Sequence, residues 1–128
     1  MALLYVDEHA TAMAAVRDYW HAMRRGQTPS INPLDEFDST TRRRVLRVRS
    51  LAAYEVYLRS QRWREFRMGV LALVDYTCER CDVSERDSRL LVLDVHHLTY
   101  ARLGSERRED VEVLCRPCVI PARGFLSR

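Results

Sequence analysis

Four cysteines offer the clearest chemistry in the sequence. All of them fall in C-x2-C pairs, Cys78 with Cys81 and Cys115 with Cys118, and 33 residues separate the two pairs. A C-x2-C turn directs two thiolates at one ion, so two such turns fill the four tetrahedral positions that Zn²⁺ prefers. Four protein thiolates leave no open coordination position, which favours a structural ion over a catalytic one. A redox dithiol, or two unrelated reduced pairs, is the alternative interpretation.

The segment between the cysteine pairs contains two adjacent histidines, His96 and His97, which follow an alternating apolar run at Leu91, Leu93 and Val95. Adjacent residues of a strand face opposite sides. The pair alone is therefore also compatible with one histidine in a core and the other on a surface. A neutral imidazole can bind a metal ion or accept a proton from water near neutral pH. The position of the pair inside a zinc-stapled segment favours a metal-binding or catalytic role.

The elements that must position these side chains are predicted from the spacing of apolar residues. The predicted helices are residues 3–25, a segment from a cap at Ser39, Thr40 or Thr41 to about Leu58, and a segment that Ser60 caps. Residues 26–38 contain two prolines and no periodicity, which predicts a loop. Residues 78–118 predict short strands, at Leu91–Val95 and at Val111–Val113. The fold class predicted from these elements is α+β, with helices preceding the cysteine-bounded module.

The segment from about Tyr57 to Cys118 contains a series of separated motifs: Tyr57-Leu58-x-Ser60-x-x-Trp63-x-x-x-Arg67, Cys78-x-x-Cys81, Leu93-x-Val95-His96-His97-Leu98-Thr99-Tyr100, Leu103-Gly104-x-Glu106, Asp110-Val111 and Leu114-Cys115-Arg116-x-Cys118. With these motifs the segment resembles the HNH nucleases that have a ββα-metal fold and four structural cysteines. These matches cover about half of the chain. The resemblance implies N-terminal helices followed by a zinc-stapled ββα-metal module, with residues 1–56 as a helical extension and residues 57–128 as the HNH-like module.

The resemblance also implies roles for individual residues. His97 matches the general base that activates water against a DNA phosphodiester, and His96 matches a ligand of one catalytic divalent ion, Mg²⁺, Mn²⁺ or another. Asp110 falls where the family carries Asn or Asp, which tethers the loop between the strands. The implied function is metal-dependent hydrolysis of DNA, with structural zinc held by the cysteines.

The sequence departs from the family pattern after the last cysteine. The family continues with two further histidine ligands on a closing helix, but Val119 and Arg123 occupy those positions here, and Pro121 opposes a helix. Asp94, on the same strand face as His96, is a candidate substitute ligand, and His9 and His21 are weaker ones. Three interpretations stay open: an endonuclease with an unusual metal site, a degenerate module that binds DNA or a protein partner without cleavage, and a truncated or frameshifted descendant of an active enzyme.

Basic residues are concentrated in residues 41–69, which contain nine arginines and two glutamates. Arginine matches phosphate geometry, and the predicted nucleic-acid contacts are Arg43, Arg44, Arg47, Arg62 and Arg67. A solvated helix face is the alternative. Residues 1–40 contain three arginines and six acidic residues, so a packing or protein-partner surface is favoured there over DNA binding.

No apolar run reaches the length of a membrane span, and the N-terminus lacks the basic region of a signal peptide. The expected location is therefore the cytoplasm, with no membrane partner.

Overall fold

The structure is a computed structural model, and it describes residues 7–88 and 91–119. It is a mixed α+β fold with helices α1 to α5 and strands β1 and β2. The elements in chain order are α1 (Glu8–Arg24), α2 (Pro33–Glu36), α3 (Ser39–Arg47), α4 (Leu51–Leu58), α5 (Gln61–Leu73), β1 (Leu93–His97), a 3₁₀ helix (Arg108–Asp110) and β2 (Val111–Cys115). The chain forms two compact units, Met1–Arg64 and Glu65–Arg128, and the division between them falls within α5.

The first unit is a helical cluster in which α1 packs against α2, α3 and α4. Asp7 begins α1 by accepting hydrogen bonds from the backbone N–H groups of His9 and Ala10. The buried Asn32 side chain donates to the Val56 carbonyl of α4 and accepts from the Leu34 N–H. Segment 26–38, predicted as a loop, therefore contains the short helix α2 and is fixed to the core.

The second predicted helix is divided into α3 and α4. Arg49 adopts a φ of +58°, a left-handed conformation that ends α3. The Ser50 hydroxyl then accepts from the Ala53 N–H and begins α4. A third helix beginning after Ser60 is confirmed, since the Ser60 hydroxyl accepts from the Trp63 N–H.

The second unit contains a two-stranded antiparallel sheet in which Leu93 pairs with Cys115 and His97 pairs with Val111. Leu93, Val95 and His97 point to the buried side of β1. The Arg67 guanidinium on α5 donates to the Leu93 carbonyl at 3.1 Å, which joins the helix to the strand. The sheet thus presents the histidine pair at the end of β1 and Cys115 at the end of β2.

Candidate metal centre

The four cysteine sulfur atoms converge in the second unit. All four Sγ atoms lie within 4.8 Å of one another, and the Sγ atoms of Cys81 and Cys115 are 3.5 Å apart. Tetrahedral Zn²⁺ with ~2.3 Å bonds places its sulfur ligands about 3.8 Å apart, a separation that lies within this range. The four thiols are unlinked, and 3.5 Å is far longer than the ~2.05 Å of a disulfide. The cluster could therefore hold a zinc ion.

Backbone hydrogen bonds shape the first cysteine turn. The Cys78 N–H donates to the Val83 carbonyl at 2.8 Å, and the Asp82 N–H donates to the Cys78 carbonyl at 3.0 Å. Asp82 has a φ of +65°, a left-handed conformation that reverses the chain directly after Cys81. The turn holds Cys78 and Cys81 on the same side through these backbone contacts.

The second cysteine pair is positioned by β2 and the residues after it. Cys115 is the last residue of the strand, and residues 116–119 form a helical turn that contains Cys118. The Glu79 N–H donates to the Val113 carbonyl at 2.9 Å, while the Glu79 carboxylate accepts from the Val113 N–H at 3.2 Å. This double hydrogen bond fixes the first cysteine turn against the strand that carries the second pair.

The cysteine thiols differ in acidity because of their surroundings. Burial opposes ionisation of Cys78, but backbone N–H groups of Cys81, Cys115 and Arg80 outweigh it and lower the Cys78 pKa to about 6. The neighbouring Cys115 thiol, together with burial, raises the pKa of Cys118 to about 12. Crowded thiolates repel one another, so a bound cation is what would allow all four to ionise together.

His97 is held in a buried pair with Glu106. Its Nε2 atom donates to Glu106 Oε2 at 2.8 Å, and the exposed fractions of the two side chains are 1% and 2%. The Tyr100 ring lies 5.4 Å from the imidazole, and the second oxygen of Glu106 accepts from the Gly104 N–H. With Nε2 donating, a proton acceptor on His97 would have to be Nδ1, and that ring is almost fully covered.

The other face of β1 carries Asp94 and His96, both partly buried. Asp94 forms an ion pair with Arg116 at 3.1 Å. His96 lies opposite Glu112, whose carboxylate accepts from Arg80 at 3.1 Å. In the part of the chain that the structure describes, the cysteine cluster is the only group of three or more Cys, His, Asp or Glu side chains close enough to share a metal ion.

Asp110 ties the loop between the two strands. Its side chain is 2% exposed, and the carboxylate accepts from Arg102 Nε at 2.9 Å and from the Arg107 N–H at 2.8 Å. Its carbonyl accepts from the Leu98 N–H at 2.7 Å, directly after β1. The hydrogen bonds from Arg102, with a smaller contribution from the Arg107 N–H, hold the Asp110 pKa below its ordinary value despite burial.

The predicted nucleic-acid residues lie in different surroundings. Arg43, Arg44 and Arg47 are exposed on α3, and Arg62 is exposed in the first turn of α5. Burial, followed by the positive charge of Arg62, lowers the pKa of the partly buried Arg42, so Arg62 lies close enough to Arg42 to act on its charge. Arg67 differs from this group because its guanidinium is engaged by the Leu93 carbonyl in the second unit.

The residues that mark the departure from the family pattern are only partly described. Val119 is buried, with 5% of its surface exposed, whereas Pro121 and Arg123 lie outside the described residues. His9 and His21 lie on α1 in the first unit. The sequence alone indicates no chemical role for Glu106 and Arg102, because nothing in their spacing shows which buried group each one partners.

No family model, curated protein or solved structure matched this chain. None of the helices among the described residues has the length and apolar character needed to cross a membrane.

Proposed function

We propose that this chain is a zinc-stapled, HNH-like module that binds DNA without hydrolysing it. The observation that carries the proposal is the single metal-ligand group within residues 7–88 and 91–119, which consists of the four cysteines alone. A catalytic divalent ion needs its own set of ligands with a position open to substrate. His96, which the resemblance assigns to that ion, belongs to no such group among the residues that the structure describes.

The burial of His97 also supports a module without hydrolytic activity. A general base must come within hydrogen-bond reach of the water that it activates. The imidazole of His97 is covered on all but 1% of its surface, and its Nε2 atom is committed to Glu106. In this arrangement the pair stabilises the end of β1 rather than facing a phosphodiester.

The arginines of α3 support DNA as the partner. Among the described residues, Arg44 and Arg47 form no ion pair, and both are exposed, as is Arg43. Unpaired guanidinium groups on one helix can each neutralise a backbone phosphate and release its counterion. Such contacts position a protein on DNA without selecting a base sequence.

An HNH endonuclease is the second candidate function, and the Glu106 contact is the observation that favours it. A carboxylate that accepts from one ring nitrogen fixes the imidazole orientation and increases the basicity of the other nitrogen. A shift of the covering residues on DNA binding would then present Nδ1 to water. Asp110, which fixes the loop after β1, would hold the base in place.

A paired assay separates the two functions. Zinc-loaded protein is tested for a salt-dependent gel shift of duplex DNA and for nicking of supercoiled plasmid with Mg²⁺, Mn²⁺ or Ni²⁺. The proposal expects the wild-type protein to shift the DNA in the gel but to nick the plasmid no more than His97→Ala does. His97→Gln serves as a more conservative variant, and circular dichroism verifies that it is folded. Nicking that both folded variants abolish would establish the nuclease instead. A measurement showing that the purified protein binds no zinc would contradict both functions.

A further inference from the structure

A surface groove lies in the first unit, and its lining residues have no part in the cysteine cluster. Its volume is about 490 Å³, and it is formed by α1, the segment before α2, and α2 itself. The residues that define its character are Asp18, Tyr19, Ile31, Pro33, Glu36 and Phe37. Its size is within the ~300–1,000 Å³ typical of sites that bind ligands or side-chain anchors.

The groove is largely apolar, and two acidic residues, Asp18 and Glu36, are among the residues that line it. Ile31 is 62% exposed, whereas the rings of Tyr19 and Phe37 are partly buried in the walls. Asp18 and Glu36 are exposed, and neither forms an ion pair with any residue that the structure describes. An exposed aliphatic residue beside aromatic rings and unpaired charges is typical of a surface that a partner covers.

The charge of the groove selects among partners. A polyanion such as DNA would be repelled by Asp18 and Glu36, and residues 1–40 as a whole contain six acidic residues and three arginines. A guanidinium or ammonium group is attracted by the two carboxylates and by the faces of the aromatic rings. The aliphatic stem of such a side chain, or an adjacent leucine, can cover Ile31.

We propose that this groove docks a protein segment in which an arginine or lysine lies next to a large apolar residue. The carboxylates of Asp18 and Glu36 receive the cationic group, while Ile31 and the two aromatic rings receive the apolar side chain. The groove would not compete with the arginines of α3 for DNA, because the carboxylates of Asp18 and Glu36 repel phosphate. The chain would thus join a basic partner protein to nucleic acid.

Fluorescence anisotropy with a labelled peptide of alternating leucine and arginine tests the proposal in the full chain. We expect binding to weaken about tenfold in the double variant Asp18→Asn, Glu36→Gln, and by a similar factor in Ile31→Ser. The matched control Glu8→Gln removes an exposed charge elsewhere on α1 and should leave affinity unchanged. Amide chemical shifts in ¹⁵N-labelled protein should change at residues 15–19 and 31–37.

Four results would overturn the proposal. Equal weakening by Glu8→Gln would indicate unspecific attraction to the acidic surface, and equal binding of a leucine–glutamate peptide would indicate simple apolar adhesion. Affinity that does not change in Ile31→Ser would exclude the groove as the docking site. Self-association of the chain that the groove variants abolish, detected by sedimentation, would assign the surface to a second copy.

Discussion

The Nε2 atom of His97 lies 2.8 Å from the Oε2 atom of Glu106, and 1% and 2% of the two side chains are exposed. The pairing spans nine residues of sequence and links the end of β1 to the loop that returns to β2. A buried imidazole and a buried carboxylate each need a hydrogen-bond partner, and here each is a partner of the other. The pair is therefore a structural anchor of the strand end, whatever chemistry the module performs.

Removing the carboxylate should destabilise the second unit. Glu106→Ala leaves a buried imidazole N–H and the Gly104 N–H without the acceptors they have in the structure, which costs about 2 kcal/mol. Glu106→Gln keeps one acceptor oxygen for the Gly104 N–H, and its NH2 group can donate to Nε2 once the neutral ring carries its proton on Nδ1, so this variant should cost less than Glu106→Ala. The matched control is Glu109→Ala, whose side chain is 68% exposed and should change the free energy of unfolding by about 0.5 kcal/mol or less. Urea unfolding of the zinc-saturated protein measures the free energy of unfolding of the three variants. Equal losses in Glu106→Ala and Glu109→Ala would contradict the anchoring role of the His97–Glu106 pair.

A strained residue between α3 and α4 offers a stabilising substitution. Arg49 has a φ of +58°, a conformation that is unfavourable for residues with a Cβ atom and natural for glycine. We expect Arg49→Gly to raise the free energy of unfolding by about 1 kcal/mol. The matched control is Arg47→Gly, which introduces the same residue into the last turn of α3 and should destabilise by about 0.5–1 kcal/mol. Thermal unfolding measures the change in stability of both variants. A change of the same sign in Arg49→Gly and Arg47→Gly would contradict the assignment of backbone strain to Arg49.

The local elements follow closely from the sequence, because the signals that define them are local. Ser60 begins α5 as predicted, and the alternation at Leu93 and Val95 correctly indicates β1. The break at Arg49 was not predicted because arginine has no preference for a positive φ, so only the packed structure reveals it. By its spacing Leu73 shares a helix face with Trp63 and Val70, yet it is 75% exposed at the last residue of α5.

The candidate site was only partly predictable. Thiolate pairs in C-x2-C turns indicate a metal site from spacing alone, and the convergence of the four sulfurs confirms that they could share an ion. The partners of His97 and Asp110 depend on how the loop between the strands folds back. No sequence spacing encodes their hydrogen bonds to Glu106 and Arg102, because each is a tertiary pairing.

The ionised carboxylate of Asp110 should stabilise the protein over most of the pH range. The hydrogen bonds from Arg102 place its folded pKa below the ordinary value of 3.8, so the stabilisation is complete above that value and is lost as pH falls through the folded pKa. Asp110→Asn should therefore lower the free energy of unfolding by about 2 kcal/mol, with the same deficit at pH 5 and pH 8. Urea unfolding at several pH values measures the deficit. A deficit that disappears between pH 8 and pH 5 would contradict the assigned direction of the pKa shift.

Metal removal tests the cysteine cluster directly. Because a zinc site couples ion binding to folding, a chelator should lower the free energy of unfolding, and the return of zinc should release protons. Cys118→Ser should reduce bound zinc below one ion per chain and alter the absorption bands of Co²⁺ bound in its place. The matched control Ser84→Ala alters the first cysteine turn without removing a sulfur and should retain the ion. Full zinc occupancy in Cys118→Ser would show that the four sulfurs do not share one ion.

Two sets of arginines should behave differently in DNA binding. Arg43, Arg44 and Arg47 are exposed on α3, so replacing all three with glutamine should weaken duplex binding and reduce its salt dependence. The log–log slope should fall by about 0.9 for each phosphate that the variant no longer neutralises. Arg67→Gln is the control, because that guanidinium donates to the Leu93 carbonyl and its removal should lower stability while leaving the slope unchanged. Fluorescence anisotropy at several salt concentrations gives both slopes.

If the slope is unaltered in the triple variant, the three arginines belong to a solvated helix face and do not contact DNA. If the slope is reduced only in Arg67→Gln, the DNA-binding surface lies in the second unit.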